Sequence, residues 1–129
     1  MQGLQRELGM AIVLITHDLG VIAETSDDVV VMYAGRIAET GPVDALFNHP
    51  SHPYTRGLLD SIPVLENQRK TKLNVIEGMV PGLKDLPVGC RFQNRCPYRI
   101  DKCSEQPPLE SVGPGHETAC WRWRELPAR

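Results

Sequence analysis

Proline and cysteine partition this chain before any periodicity is read. The first 41 residues contain no proline, whereas seven of the eleven prolines fall between Pro81 and the C-terminus. All four cysteines lie between Cys90 and Cys120. A proline-free stretch can carry continuous helix and strand, while a proline-dense one is broken into loops. The front is therefore expected to be regular, and the back loop-rich and stapled by something other than a large core. With 129 residues and 41% apolar content, the chain suffices for one ordinary domain with a small appendage.

Charge and hydropathy remove several classes of function. Fourteen basic residues stand against sixteen acidic ones, for a net charge of −2. That balance argues against a polyanion binder, whose affinity comes from an excess of Lys and Arg, so no nucleic-acid partner is expected. The longest clean apolar run, residues 10–15, falls far short of the ~20 needed to cross a bilayer. Gln5-Arg6-Glu7 interrupts any signal-peptide core, and the chain reads as soluble and intracellular. In a reducing compartment, a local group of cysteines more often holds a metal centre than disulfides.

Local pattern predicts the elements. Leu4 and Leu8, with Gly9 as a stop, suggest the tail of an amphipathic helix. Residues 11–16, β-branched and uninterrupted, read as a strand buried on both faces of a parallel sheet. Asp18 can cap a helix over 19–24, and a strand follows at 29–33. Ala34-Gly35 makes a tight turn into a hairpin partner at 36–40, and Gly41-Pro42 opens another helix. Beyond the prolines at 50 and 53, a helix is expected over 54–61. The polar stretch 66–72 is the best linker candidate, leading to a cysteine-bearing module over about 73–123. No internal repeat or low-complexity tract is present.

Thr16-His17-Asp18 puts an imidazole at the carboxyl end of the expected buried strand, where open α/β sheets bind ligands. There His17 can donate to a phosphate oxygen or orient a water, although taken alone it reads more readily as a residue capping the strand–helix turn. The surrounding runs, Ile12-Val13-Leu14-Ile15-Thr16-His17-Asp18-Leu19 and Asp28-Val29-Val30-Val31-Met32-Tyr33-Ala34-Gly35-Arg36-Ile37, closely resemble the C-terminal end of ABC-transporter nucleotide-binding subunits. His49-Pro50-Ser51-His52-Pro53-Tyr54-Thr55-Arg56-Gly57, then Gly89-Cys90-Arg91-Phe92, Arg95-Cys96-Pro97, Cys103 and Cys120-Trp121, resemble the oligopeptide/dipeptide importer branch with its C-terminal extension.

The resemblance implies an α/β fold: the closing strands and helices of a P-loop ATPase sheet over 1–48, then the importer extension over 49–129. It implies that His17 is the catalytic switch-loop histidine that meets the γ-phosphate of ATP in an intact subunit, with Mg as companion ion. The implied partners are a second ATP-binding subunit, two membrane permeases and a peptide-binding receptor. They would place the protein on the cytoplasmic face of the cell membrane. The sequence contains no GxxxxGK[ST] loop, no Leu-Ser-Gly-Gly-Gln signature and no acidic strand end with its catalytic Glu. The chain is accordingly expected to be the last part of a longer subunit, a truncated product starting at an internal Met and unable to hydrolyse ATP alone.

Five residues separate Cys90 from Cys96, six separate Cys96 from Cys103, and sixteen separate Cys103 from Cys120. Structural zinc favours tighter Cys-x₂₋₄-Cys knuckles; the longer gaps suit a bulkier cluster, with Pro97 a weak further cue. Spacing leaves iron–sulfur, zinc and free thiols or adventitious disulfides open. The family resemblance implies a [4Fe–4S] centre on Cys90, Cys96, Cys103 and Cys120, its negative charge partly offset by Arg91, Arg95, Arg99 and Lys102.

Other candidates take plainer readings. His49 and His52, each before a proline, are expected to cap backbone rather than bind metal, and His116 is a reserve ligand. Asp27-Asp28 reads as a solvated strand entry, because adjacent strand residues face opposite ways. Trp121 and Trp123 are expected to pack over the module rather than stack bases. The competing class of function is a stand-alone four-cysteine protein for electron transfer or sensing, or an inactive product.

Overall fold

The computed structural model describes residues 2–62 and 74–128. The proposed linker at 66–72 lies outside the described residues. The chain runs α1 (Gln2–Leu8), α2 (Leu19–Thr25), β1 (Asp28–Tyr33), β2 (Arg36–Pro42), α3 (Val43–Asn48), α4 (Pro53–Asp60), a 3₁₀ turn (Asp101–Ser104), β3 (Glu110–Gly113) and β4 (His116–Thr118). This is a small α/β structure whose four strands form one antiparallel sheet in the order β1-β2-β4-β3.

The β1–β2 hairpin follows from its turn. Ala34 and Gly35 both have positive φ, 47° and 80°, the backbone that matches strand twist in a two-residue hairpin. Tyr33 faces Arg36, and Asp28 faces Pro42, with an irregularity between Val31 and Met32. β2 then pairs with β4, Glu39 opposite Thr118 and Thr40 opposite Glu117. The Ala119 N–H donates to the Ala38 carbonyl at 2.8 Å, extending that contact. The sheet thus unites the hairpin with strands some eighty residues downstream.

The helices start where their caps dictate. The Asp18 carboxylate accepts from the Val21 N–H at 3.1 Å and caps α2. α3 starts directly after Pro42, and α4 has Pro53 in its first turn. The N-cap of α4 is His52, whose Nδ1 accepts from the Tyr54 N–H at 3.0 Å. Between helices and sheet lies the core: Val29, Tyr33, Ala38, Leu46, Leu59, Phe92 and Ala119 are all buried. Tyr33, Tyr54 and Phe92 form an aromatic triangle with centroids 4.8–5.3 Å apart.

One expectation is corrected. Residues 11–16 do not form a buried strand of a parallel sheet: they belong to no strand, and Val13 and Ile15 stand 89% and 95% exposed. A strand exists only by pairing its N–H and C=O groups with a neighbour, and no described strand lies alongside this run. Its β-branched composition records the environment the run suits, and the described residues do not supply it. Neither α1 nor α2 contains a buried residue.

Candidate four-cysteine site and its frame

The cysteines lie 30 residues apart at the extremes, and the first three sit on a chain of tight turns. The Gln93 N–H donates to the Cys90 carbonyl at 3.2 Å, and the Arg95 N–H to the Phe92 carbonyl at 3.0 Å. The Cys103 N–H donates to the Ile100 carbonyl at 3.0 Å. The Cys90 N–H reaches the Cys103 carbonyl at 2.9 Å and clamps the first and third cysteine together. Gly89 makes that clamp possible. Its φ is +91°, and a Cβ there would sit 2.3–2.5 Å from the backbone of Cys103 and Ser104. No side chain fits, which explains the glycine directly before Cys90.

The thiols share one electrostatic environment. Burial pushes the Cys120 thiol up to about 12, against the Arg122 N–H, with Cys96, Cys90 and Cys103 raising it further. Burial likewise pushes Cys96 up to about 11; the Tyr98 N–H and the Arg122 charge pull the other way, and Cys90 and Cys103 push with it. Cys90 is raised for the same leading reason, opposed by the N–H groups of Phe92 and Gln93. Three sulfurs therefore each accept from the N–H two residues ahead: Phe92 to Cys90, Tyr98 to Cys96 and Arg122 to Cys120. Such donors stabilise a thiolate, the form that ligates metal. All four are free thiols. Among the described residues, no group of three or more His, Cys, Asp or Glu side chains is arranged to hold a metal ion. The donor chemistry thus fits a soft, thiolate-bound group, while the side chains stand apart rather than converging on one ion.

The basic residues nearby have other employment. Arg91 Nη1 donates to the Ala34 carbonyl at the hairpin tip. Arg95 donates to the carbonyls of Glu77, Ile76 and Gly78 at 3.0–3.2 Å and to the Tyr33 hydroxyl at 3.4 Å. Lys102 sits 4.1 Å over the Trp121 ring. The cation that Cys96 does feel is Arg122, which is not among the four basic residues expected to offset the cysteines; its Nη1 also donates to the Tyr98 carbonyl at 3.1 Å. Both tryptophans are pinned to the module, Trp121 Nε1 on the Glu105 carbonyl at 3.0 Å and Trp123 Nε1 on Glu110 at 2.8 Å.

A second polar centre frames the site, and it too was missed. Glu39, on β2, is fully buried. Its Oε1 accepts from the Ser51 N–H at 2.7 Å and lies 2.6 Å from His116 Nε2, while its Oε2 accepts from the His52 N–H at 3.0 Å. One carboxylate thus joins β2, the start of α4 and β4. A Glu in a period-2 strand reads as solvent-facing, so no local pattern announces this role. His116, the reserve metal ligand, is committed to Glu39 instead. His52 caps backbone as expected; burial pulls its pKa down to about 4, partly opposed by its hydrogen bond to the Ala119 carbonyl. His49 and His17 are exposed, His17 on the turn just before α2.

The comparisons with known proteins meet this geometry directly. A family model described as the oligopeptide/dipeptide transporter C-terminal region matches residues 38–103, from the hairpin return through the third cysteine. The chain belongs to this family. It is 52% identical over 134 residues to a Brucella ovis protein named as a candidate peptide import ATP-binding protein, covering 99% of this chain and 40% of that one. Against the oligopeptide transport ATP-binding protein AppD of Bacillus subtilis the identity is 48%, over 97% of this chain and 38% of AppD. Against the oligopeptide transport ATP-binding protein OppD of Salmonella typhimurium it is 47%, over 92% and 35%. The chain therefore spans about 40% of the length of the curated relatives it matches. Among the described residues, no helix is long and apolar enough to cross a membrane.

Proposed function

We propose that this chain is the C-terminal part of the ATP-binding subunit of an ATP-driven peptide importer, with residues 1–48 closing the ATPase core and 49–129 forming the importer extension. The observation that carries this reading is the family match over 38–103, continuous with near-half identity to peptide import ATP-binding proteins along almost the whole chain. In the intact subunit, His17 meets the γ-phosphate of Mg-bound ATP, its exposure on the turn ahead of α2 leaving the imidazole accessible. Two permeases, a second ATP-binding subunit and a peptide-binding receptor complete the importer, and the subunit sits on the cytoplasmic face of the membrane through the permeases. The chain by itself does not hydrolyse ATP.

Cys90, Cys96, Cys103 and Cys120 hold a [4Fe–4S] cluster in this reading, with zinc as the alternative metal. Bound there, the cluster would cross-link loops that lack a large core of their own. The chain's part is to gather four thiols, to aim backbone N–H groups at three sulfurs and to keep the Arg122 charge near Cys96. A second reading, a self-sufficient four-cysteine module, has one observation in its favour. Among the described residues, the buried ones all come from Val29 onward, and α1 and α2 contribute none.

Anaerobic purification with iron, sulfide and zinc analysis, alongside an ATP hydrolysis assay, tests the proposal. About four iron and four sulfide per chain, with hydrolysis at the buffer rate, is the expected result. Stoichiometric zinc without iron would reassign the site. Hydrolysis above the buffer rate would overturn the assignment of 1–48 as an incomplete ATPase core.

A further inference from the structure

A cavity of about 810 Å³ lies between α4, the segment 74–78 and residues 127–128. That volume is within the range of small-molecule sites. Two of its walls are backbone tied down by arginines. Gly57 brings the first wall close, since a Cβ there would sit 2.7–2.8 Å from the Ile76 side chain. Ser61 Oγ donates to the Asn74 carbonyl at 2.7 Å, and Arg95 donates to the carbonyls of Ile76, Glu77 and Gly78 at 3.0–3.2 Å. The second wall is the segment at 127–128, where Arg56 Nη1 donates to the Pro127 carbonyl while its Nε holds the Pro50 carbonyl at 3.0 Å.

The lining combines apolar surface with charges of both signs. Pro53, Val75 and Phe92 supply the first, and Arg56 and Asp60 the second, with Arg95 and Glu77 adding one further charge of each sign. Arg56 and Asp60 stand one turn apart on α4, which makes their side chains neighbours on the helix surface. A simple anion or cation at that end of the cavity meets one attractive and one repulsive neighbour. A molecule carrying both signs meets two attractive ones. The Pro127 carbonyl also shows what Arg56 accepts there, a peptide oxygen with only a partial charge. A carboxylate in the same place would form the stronger, charge-assisted bond.

We propose that this cavity binds a short zwitterionic peptide or an amino acid, its carboxylate on Arg56 in place of the Pro127 carbonyl and its ammonium on Asp60. Pro53, Val75 and Phe92 take the apolar side chain. Binding of this kind needs no metal at the cysteines.

Equilibrium dialysis of the full, reduced chain against labelled Ala-Leu-Phe, with unlabelled competitors, tests the site. The uncapped tripeptide should be retained, and amidating its carboxyl end or acetylating its amino end should each weaken binding about tenfold. No retention at millimolar peptide, or either cap leaving affinity unchanged, would overturn the proposal. Free phenylalanine separates the two sources: competition as strong as the tripeptide's assigns the cavity to amino acids, weaker competition to peptides, and either supports a zwitterion site. Arg56→Gln should reproduce the loss caused by amidation and cost nothing further against the amidated peptide, with Arg56→Lys recovering part of it. Asp60→Asn should do the same for acetylation. Arg56 also holds Pro50, so thermal melts accompany each variant. Should Arg56→Gln fail to fold, Asp60→Asn decides alone, and an equal loss for the uncapped and acetylated peptides would overturn the proposal.

Discussion

Residues 2–26 and the body formed by residues 28–62 and 74–128 treat their apolar side chains in opposite ways. The front holds the most strand-like apolar run in the chain, yet Val13 and Ile15 are almost fully exposed and neither flanking helix buries a residue. The body is rich in proline and glycine, and it contains the buried core, a four-stranded sheet and the gathered cysteines. Apolar composition therefore states what a segment needs. Burial depends on whether partners are present, and here long-range pairing and polar hubs decide it.

The comparison predicts that single changes in the body are costly and changes at the front are not. Gly89→Ala should have the largest effect, because its Cβ would overlap the Cys103 and Ser104 backbone and the residue would hold φ +91°. A loss of about 3 kcal/mol or more is expected, read as a lower denaturation midpoint together with loss of the near-ultraviolet signal of Trp121 and Trp123. Glu39→Ala comes next. It strands two backbone N–H groups and the His116 ring in a buried site, for about 3 kcal/mol. Glu39→Gln retains one carbonyl acceptor and should lose roughly half as much.

The third effect depends on pH. His52 titrates at about 4 in the folded chain, against an ordinary value of 6.5. Between those values the unfolded chain carries a proton that the folded one refuses, so stability should rise with pH across the window. It is complete above pH 6.5 and lost as pH falls toward 4, a change on the order of 3 kcal/mol. Protonating Nδ1 would also abolish its acceptance of the Tyr54 N–H. His52→Asn, which can still cap α4, should flatten the slope in a series of thermal melts. The smallest effect belongs to the front. Val13→Ser or Ile15→Ser should change the unfolding midpoint by no more than about 0.5 kcal/mol, and a larger loss would show that the front is packed after all.

What the sequence reveals follows the range of its signals. The hairpin, α3 and α4 were legible because Ala34-Gly35, Pro42 and Pro53 act within a turn of themselves. The capping role of His52 was legible for the same reason. The cysteines could be singled out by their confinement to one stretch, though the space that groups them could not. β3 and β4 were not anticipated, because their place beside β2 rests on contacts between residues nearly eighty positions apart, such as Glu39 with His116. Gly89 was visible as part of a motif, but only the backbone it touches explains it. The run at 11–16 misled because period and composition are blind to whether a neighbouring strand exists.

Native-state hydrogen exchange on the full chain tests the contrast between the two regions most directly. The account predicts strong protection for the amides that bond within β2 and across to β4, the Ala119 N–H among them, and exchange at nearly the unfolded rate across residues 10–17. Protection over 10–17 equal to that of the sheet would contradict it, by showing that the apolar run has found a partner in the chain itself.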